Sequence, residues 1–488
     1  MSEVLPEALL TRVDGLVGDA VEAAVRVKHS RRLARLGWSG ALAPEGDSVW
    51  AAGEPAPRDG CELRVLIDGE EAFAAIARAI ADARDTIHIT GWHLAAHFEL
   101  ARDEHLVLGQ LLAEAAERVD VRVLVWAGAP VPAFHPTRKE VSEAIRTLTR
   151  ETRIRCQADP REHPFHCHHE KTVVVDGTVA FVGGIDMTDF GGDRNDTSRH
   201  LARRRLGWHD VGTECRGPAV GDVAAHFALR WRELTGEEVP AGPGPAPCGD
   251  QTVQVVRTVA EDMYRSLPRG DFRILESYVR ALRSAREFVY LENQFLWAPE
   301  IVRLLEEKLR RPPCDAFRVV VLLPARANNG QDDTKGQLAV LAGADADGGG
   351  DRLLAATLRS RTGSRTDPLY VHAKVGIVDD RWLTVGSANL NAHSLFNDTE
   401  MNVVVEDRQL AQTTRLRLWA EHLETDIGQL ADRPAHAVLD ELWRPIAEEQ
   451  LERRLAGAAP THRLLALPGV SRRAGRLLGP LQGLVDDG

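Results

Sequence analysis

His169, Lys171 and Asp176, followed by Gly183-Gly184-Ile185-Asp186, return 203 residues later as His372, Lys374 and Asp379, followed by Gly386-Ser387-Ala388-Asn389. In both copies His to Lys is two residues, Lys to Asp is five, and Asp to the first Gly is seven. The 488 residues include only six lysines, so two at the same offset after a histidine are no accident of composition. Such a recurrence implies a duplicated enzyme with one active site drawn from both halves. Two imidazoles and two ammonium groups around one pocket suit phosphodiester transfer. Lysine supplies a compact cation for phosphate oxygens. A neutral imidazole can attack phosphorus and form a phosphohistidine. A protonated one can hand its proton to the leaving alkoxide and later activate water or an alcohol. The lysines, Ser387 and Asn389 would stabilise the charge that builds up. This chemistry needs neither a metal nor another cofactor.

Strand geometry sorts the motif. A His and a Lys two apart on a strand share a face, and Thr172–Val175 and Val375–Val378 carry those strands into a core. Asp176-Gly177 and Asp379-Asp380 read as two-residue hairpin turns. That register sets His169 opposite Gly184 and His372 opposite Ser387, small residues that leave room for a substrate group. Asp186 and Asn389 fall two positions further on, on the same side. The Asp lies five residues past the Lys, roughly 16 Å along a strand and on the other face. Asp176 and Asp379 are therefore expected as framework, not as catalytic contacts.

The elements that must hold these residues alternate between helix and strand. Asp68 looks like the cap of a helix with Phe73, Ile76 and Ile80 on one face. A strand at 86–91, a helix at 104–118, a strand at 121–126 and a helix at 138–150 lead to the first motif. The second half repeats the order: helix 272–286, strand 288–292, helix 299–310, strand 317–323, a surface loop at 343–351 and a helix near 351–360. This alternation predicts two similar α/β sandwich halves related by a pseudo-twofold axis, each with a mixed sheet flanked by helices and with the active site at their interface. The expected boundaries are a helical segment and linker at 1–60, halves at 61–240 and 251–430, and a C-terminal helix and basic tail at 431–488. The run Pro240–Pro247 is the natural divide between the halves. Leu9 to Val25 recur at helical spacing, predicting a helix docked on the main body.

The two motifs resemble the paired HxKxxxxD signatures of the phospholipase D superfamily. His168–Lys171 with Ala180–Asp186 resembles the first motif of phospholipase D proper. Gly91-Trp92, Trp208-His209-Asp210, Phe227–Trp231 and Tyr290–Phe295 resemble other segments of that family. The likeness runs over about residues 60–430; Phe190–Trp208 and 326–366 depart from it. It implies cleavage of the distal phosphodiester bond of a glycerophospholipid at a membrane surface, with water or an alcohol as acceptor, and transphosphatidylation when the alcohol wins. By residue type the histidines are interchangeable; the family pattern makes His169 the nucleophile and His372 the general acid/base. It adds Asp210 and Glu400 as carboxylates orienting the histidines, and Trp92, Asn293 and Gln294, with Gly184, Asp186, Ser387 and Asn389, as substrate contacts.

The net charge of −12 disfavours a nucleic acid as the main partner. Six scattered cysteines without a CxxC pair fit reduced thiols. With no signal peptide and no long apolar run in view, a cytoplasmic monomer is expected, touching the inner face of the membrane at most peripherally. The acid-free stretch from Arg453 to Pro480 could hold an anionic bilayer or pack over the body. Rival readings are a zinc site at His163, His166, Cys167, His168 and His169, a superfamily nuclease, a cardiolipin-synthase-like phosphatidyltransferase and a catalytically dead interaction module.

Overall fold

The computed structural model describes residues 7–467 except 103, 131–133, 163–165, 241, 243 and 327–330, with backbone alone over 7–17 and 331–333. Val-, Ile- and Thr-rich runs form the strands, as β-branched side chains fit a pleated surface. Seven make the first sheet: β1 (Arg58–Ile67), β2 (Thr86–Gly91), β3 (Asp120–Trp126), β4 (Arg155–Asp159), β5 (Thr172–Val175), β6 (Val179–Gly183) and β7 (Val211–Arg216). Their spatial order is β1-β7-β6-β5-β2-β3-β4, with β2, β3 and β4 parallel and the other neighbours antiparallel.

The second sheet repeats this topology with β8 (Gln251–Val259), β9 (Phe288–Glu292), β10 (Arg318–Leu322), β11 (Leu353–Thr362), β12 (Val375–Val378), β13 (Trp382–Gly386) and β14 (Glu400–Glu406). Its order is β8-β14-β13-β12-β9-β10-β11, again with only the last three parallel. Edge strands β1 and β8 touch through Arg58↔Val253 and Cys61↔Gln251. Val174, Ala180 and Val182 share one core with Ile377, Leu383 and Val385, so the sheets bury their inner faces against each other. Helices cover the outer faces, Phe73, Ile76 and Ile80 over the first sheet and Tyr278, Leu282 and Ile301 over the second. The chain is thus an α/β duplication in four layers.

Most elements fall where the residue pattern puts them, and three differ. Leu353–Thr362 is strand β11, not a helix, since Leu354, Ala356 and Leu358 bury alternately against β10 and Leu464–Ala466. The expected loop at 343–351 is helical as far as Asp347. Asp68 does not cap its helix through its side chain; it sits at φ +61° and turns its carboxylate to His209 Nδ1, 3.0 Å away. The helix Glu7–Leu36 docks on the second half through buried Leu33 and a His29–Glu300 contact of 2.8 Å. Of the basic tail, Leu464–Ala466 packs on β11, and residues 468–488 lie outside the described residues.

Asp176 and Asp379 sit at the far ends of their hairpins. The turns close by Thr178 N→Val175 O and Arg381 N→Val378 O. Thr178 and Arg381 are then inserted as bulges, so Val175 pairs with Val179 and Val378 with Trp382, one position off the expected register. Asp176 accepts the backbone N–H groups of Arg84, Asp85 and Thr86 at 2.8–3.1 Å. Asp379 does the same for Arg286, Glu287 and Phe288 at 2.7–2.8 Å. Each carboxylate staples its hairpin to the strand beside it. Asp379→Ala is expected to cost about 2–4 kcal/mol in urea unfolding, from three lost charge-assisted bonds, while folded molecules keep their kcat. Lost activity at full stability would place Asp379 in the chemistry.

Candidate active site

Strands β5, β7, β12 and β14 begin, and β2, β6, β9 and β13 end, at one end of the two sheets. The His-x-Lys stretches lie there, just ahead of β5 and β12 rather than inside them. Each docks on the opposite half. His169 and Glu170 donate their N–H groups to Thr399 O, both at 2.9 Å; His372 and Ala373 donate theirs to His209 O at 2.8 and 3.2 Å. Thr399 and His209 immediately precede Glu400 and Asp210, so the same crossing delivers a carboxylate to each imidazole. His169 Nδ1 lies 2.9 Å from Glu400 Oε1, and His372 Nδ1 lies 2.6 Å from Asp210 Oδ2. With each Nδ1–H donating to a carboxylate, Nε2 is left with a lone pair or a transferable proton.

The small residues expected opposite the histidines make room for these carboxylates instead. A Cβ on Gly184 would come within 2.2 Å of Asp210 Oδ1. Ser387 Oγ donates to Glu400. Glu400 also accepts from Ser394 Oγ at 2.6 Å, giving it three side-chain donors. Asp210 takes fewer, from His372 and from the N–H of Val211 at 2.9 Å.

The lysines curl back, each Nζ 2.5 Å from the carbonyl of its own histidine. Lys171 Nζ also faces Asp186 Oδ2 at 3.3 Å, and Lys374 Nζ faces Gln294 Oε1 at 3.4 Å. Burial pulls Lys374 down to about 7, with Asp210 partly offsetting it. Burial first, and then the charges of Lys374, Arg194 and Lys171, push His372 well down, so it rests neutral. Burial raises Asp210 to about 6. An anionic phosphodiester entering among these cations would reverse the penalty on His372 and favour its protonated form. The free site should lose its clamp charge as Lys374 deprotonates. We expect kcat/KM to fall with unit slope above about pH 7; a profile flat to pH 9 would reject Lys374 as a required cation.

The other expected contacts divide. Asp186 Oδ1 accepts the N–H of Trp92 at 3.1 Å, tying the loop after β2 to Lys171. Trp92 stacks near Trp126 and Phe190, with ring centres 6.1 and 5.8 Å away, as an apolar wall. The Oδ1 of Asn389 is buried with no hydrogen-bond partner among the described residues, free for a ligand. Gln294 reaches Tyr370 Oη at 2.9 Å as well as Lys374. Asn293 is different: its Oδ1 accepts Phe295 N and Leu390 N at 3.1 and 3.0 Å, so it holds loops and not substrate.

Two features escaped the motif reading. Glu170, between His169 and Lys171, is buried against Arg230 and His226, which anchors the first motif to the helix Val220–Thr235. The Arg194 guanidinium lies over Trp208, 3.8 Å from its ring centre, with Nε and Nη1 buried and without a hydrogen-bond partner among the described residues. Trp208 in turn lies 4.5 Å from the His372 ring. Nothing in the sequence singles out Arg194 among the arginines of that loop. The histidine-rich run does not converge on one ion: His168 lies between Thr399 and Asp159, His169 meets Glu400, His166 faces His393, and His163 lies outside the described residues.

A family model described as phospholipase D matches residues 79–206, and one described as cardiolipin synthase, PLD-like domain, matches 278–420, together more than half of the chain. The chain is 27% identical to phospholipase D A of Dictyostelium discoideum over 75% of its own length and 36% of that protein's. It is 26% identical to phospholipase D2 of Bos taurus, covering 72% of this chain and 50% of the relative. The chain therefore spans only a third to a half of these relatives. Among solved structures, phosphatidylserine synthase of Haemophilus influenzae aligns over 74% of this chain and 84% of that one at 12% identity and a TM-score of 0.48.

Proposed function

The chain belongs to the phospholipase D superfamily, and on that footing we propose that it is a phospholipase D-type phosphodiesterase and transphosphatidylase. Its substrate is a glycerophospholipid, cut at the distal phosphodiester bond to give phosphatidic acid or a phosphatidyl alcohol. The single observation that carries this reading is the crossed pair of carboxylate-held imidazoles, each followed two residues on by a buried lysine.

His169 is the nucleophile and His372 the proton carrier. Two asymmetries support the assignment. The His169 side chain is 14% exposed against 5% for His372, so an incoming phosphate reaches it first. Glu400 gathers three donors, which fixes it firmly beside the imidazole on which positive charge develops. Asp210, raised to about 6 by burial, lies 2.6 Å from His372 Nδ1, which suits a pair that passes protons. In the first step His169 Nε2 bonds to phosphorus, the P–O bond to the head group breaks, and His372 Nε2–H gives its proton to the departing alkoxide. In the second, water or an alcohol loses its proton to His372 and attacks phosphorus, and His169 leaves. Lys171 and Lys374 face the phosphoryl oxygens, while the free Oδ1 of Asn389 can accept a hydrogen bond from a hydroxyl of the substrate or acceptor.

All these groups come from one chain, so a monomer suffices. No described helix is long and apolar enough to cross a membrane, so the substrate is reached from the bilayer surface. A phosphatidylglycerol acceptor would make the same transfer a cardiolipin synthesis. Incubation with a panel of phospholipids plus a primary alcohol, with products read by mass, tests the proposal. Phosphatidyl alcohol is the expected product. Inert lipids together with cleavage of a nucleic acid or a simple diester would overturn it.

A further inference from the structure

Beside Asp210, whose N–H donates to Asp68 Oδ1 at 3.2 Å, four side chains close a ring of imidazoles alternating with carboxylates. His200 Nε2 lies 3.3 Å from Asp68 Oδ2 and 3.0 Å from Glu421 Oε1. His209 Nδ1 lies 3.0 Å from Asp68 Oδ1 and 3.3 Å from the same Glu421 oxygen. Asp68, His200 and His209 are fully buried, and the Glu421 side chain is 5% exposed. All four donor atoms lie within 4.8 Å of one another.

We infer that Asp68, His200, His209 and Glu421 form a structural site for one divalent transition-metal ion, zinc being the best match. Four ligands at the zinc–nitrogen and zinc–oxygen distances of about 2.0–2.2 Å stand roughly 3.3 Å apart in a tetrahedron; here one donor atom from each residue lies within 4.8 Å of the other three, so the four side chains need only close in on the ion. Two further observations point to a ligand. Each imidazole presents its other nitrogen to a separate carboxylate: His200 Nδ1 faces Asp196 Oδ2 at 3.1 Å, and His209 Nε2 faces Glu292 Oε2 at 2.8 Å. An outer carboxylate that fixes the tautomer is the usual second layer of a metal-bound histidine. Asp68 Oδ2, wholly buried and aimed into the ring, has the 3.3 Å contact with His200 Nε2 but no hydrogen bond among the described residues. Asp68 also holds the strained φ of +61°, the backbone conformation that points its carboxylate inward.

The ion would act by position. Asp68 and the two histidines come from the first half and Glu421 from the second. His209 is also the residue whose carbonyl receives the N–H groups of His372 and Ala373. Binding there would lock the halves in register and fix Asp210 behind His372, without touching the substrate. Without an ion, two imidazolium protons would have to hold the same carboxylates together.

The test uses the full chain, equilibrated with micromolar zinc, passed through metal-free buffer and measured by elemental mass spectrometry. Close to one ion per chain is expected, falling to a small fraction in His200→Ala and Asp68→Asn. Cobalt substitution should give the visible bands of a four-coordinate nitrogen and oxygen set with no thiolate charge-transfer band. A chelator should lower the melting temperature of the native chain, so the proposal stays open to refutation even if a variant does not fold. A native chain that retains almost no zinc, variants that bind as much as the native chain, or a thiolate signature from the cysteines would each overturn it.

Discussion

The His372→Ala variant should divide substrates by their leaving group. With a natural head group the departing alkoxide needs a proton, and removing the acid should slow turnover about 10²–10⁴-fold. With a p-nitrophenyl ester the leaving oxyanion is stable without that proton. The variant should then release a burst of p-nitrophenolate close to one per chain and stall, because no base remains to activate water. The stalled species is a phosphoryl group on His169, readable by mass on the peptide that carries it. His169→Ala should show no burst with either substrate and a loss of about 10⁴-fold or more. A burst in His169→Ala and none in His372→Ala would exchange the two roles.

The crossed carboxylates give the second large effect. Asp210 lies in the same half as His169 but hydrogen-bonds His372; Glu400 lies with His372 but holds His169. Asp210→Asn should therefore resemble His372→Ala, slow with natural head groups and nearly spared with p-nitrophenyl esters. Glu400→Gln should slow the burst itself on both substrates. Each should lower kcat about 10²-fold with KM little changed, the scale of losing the partner that orients an active imidazole. Glu400→Gln should also unfold more easily, by about 1–3 kcal/mol, since Ser387 and Ser394 lose their anionic acceptor. If Asp210→Asn suppressed the burst and Glu400→Gln spared it, the pairing would run within each half and the crossing would be irrelevant to catalysis.

Spacing alone exposed the His and Lys pairs, because a repeated offset among scarce lysines survives any detail of folding. It also sets Asp176 and Asp379 apart from the lysines, since strand rise per residue carries them to the far ends of their hairpins. The residues opposite the histidines were not legible. Bulges at Thr178 and Arg381 move the register by one, and turn composition does not announce a bulge. The room at Gly184 therefore goes to Asp210 and not to substrate. Asp210 and Glu400 could be picked out as orienting acids, but no local pattern says which histidine an acid will meet across an interface. Leu353–Thr362 reads as helix from its residues alone, and the parallel neighbour β10 and the late segment Leu464–Ala466 make it a strand. Asp68 has the residue type of a cap, and only the buried imidazoles beyond it reveal where its carboxylate goes.

The dependence of His169 on an acid 231 residues later has a consequence for how activity arises during synthesis. When the first motif leaves the ribosome, its nucleophile has neither its carboxylate nor the carbonyl of Thr399 to hold it. His372 finds Asp210 already made, so the proton carrier can be oriented before the nucleophile is. The order of translation thus leaves an unfinished chain without an oriented nucleophile until Glu400 emerges.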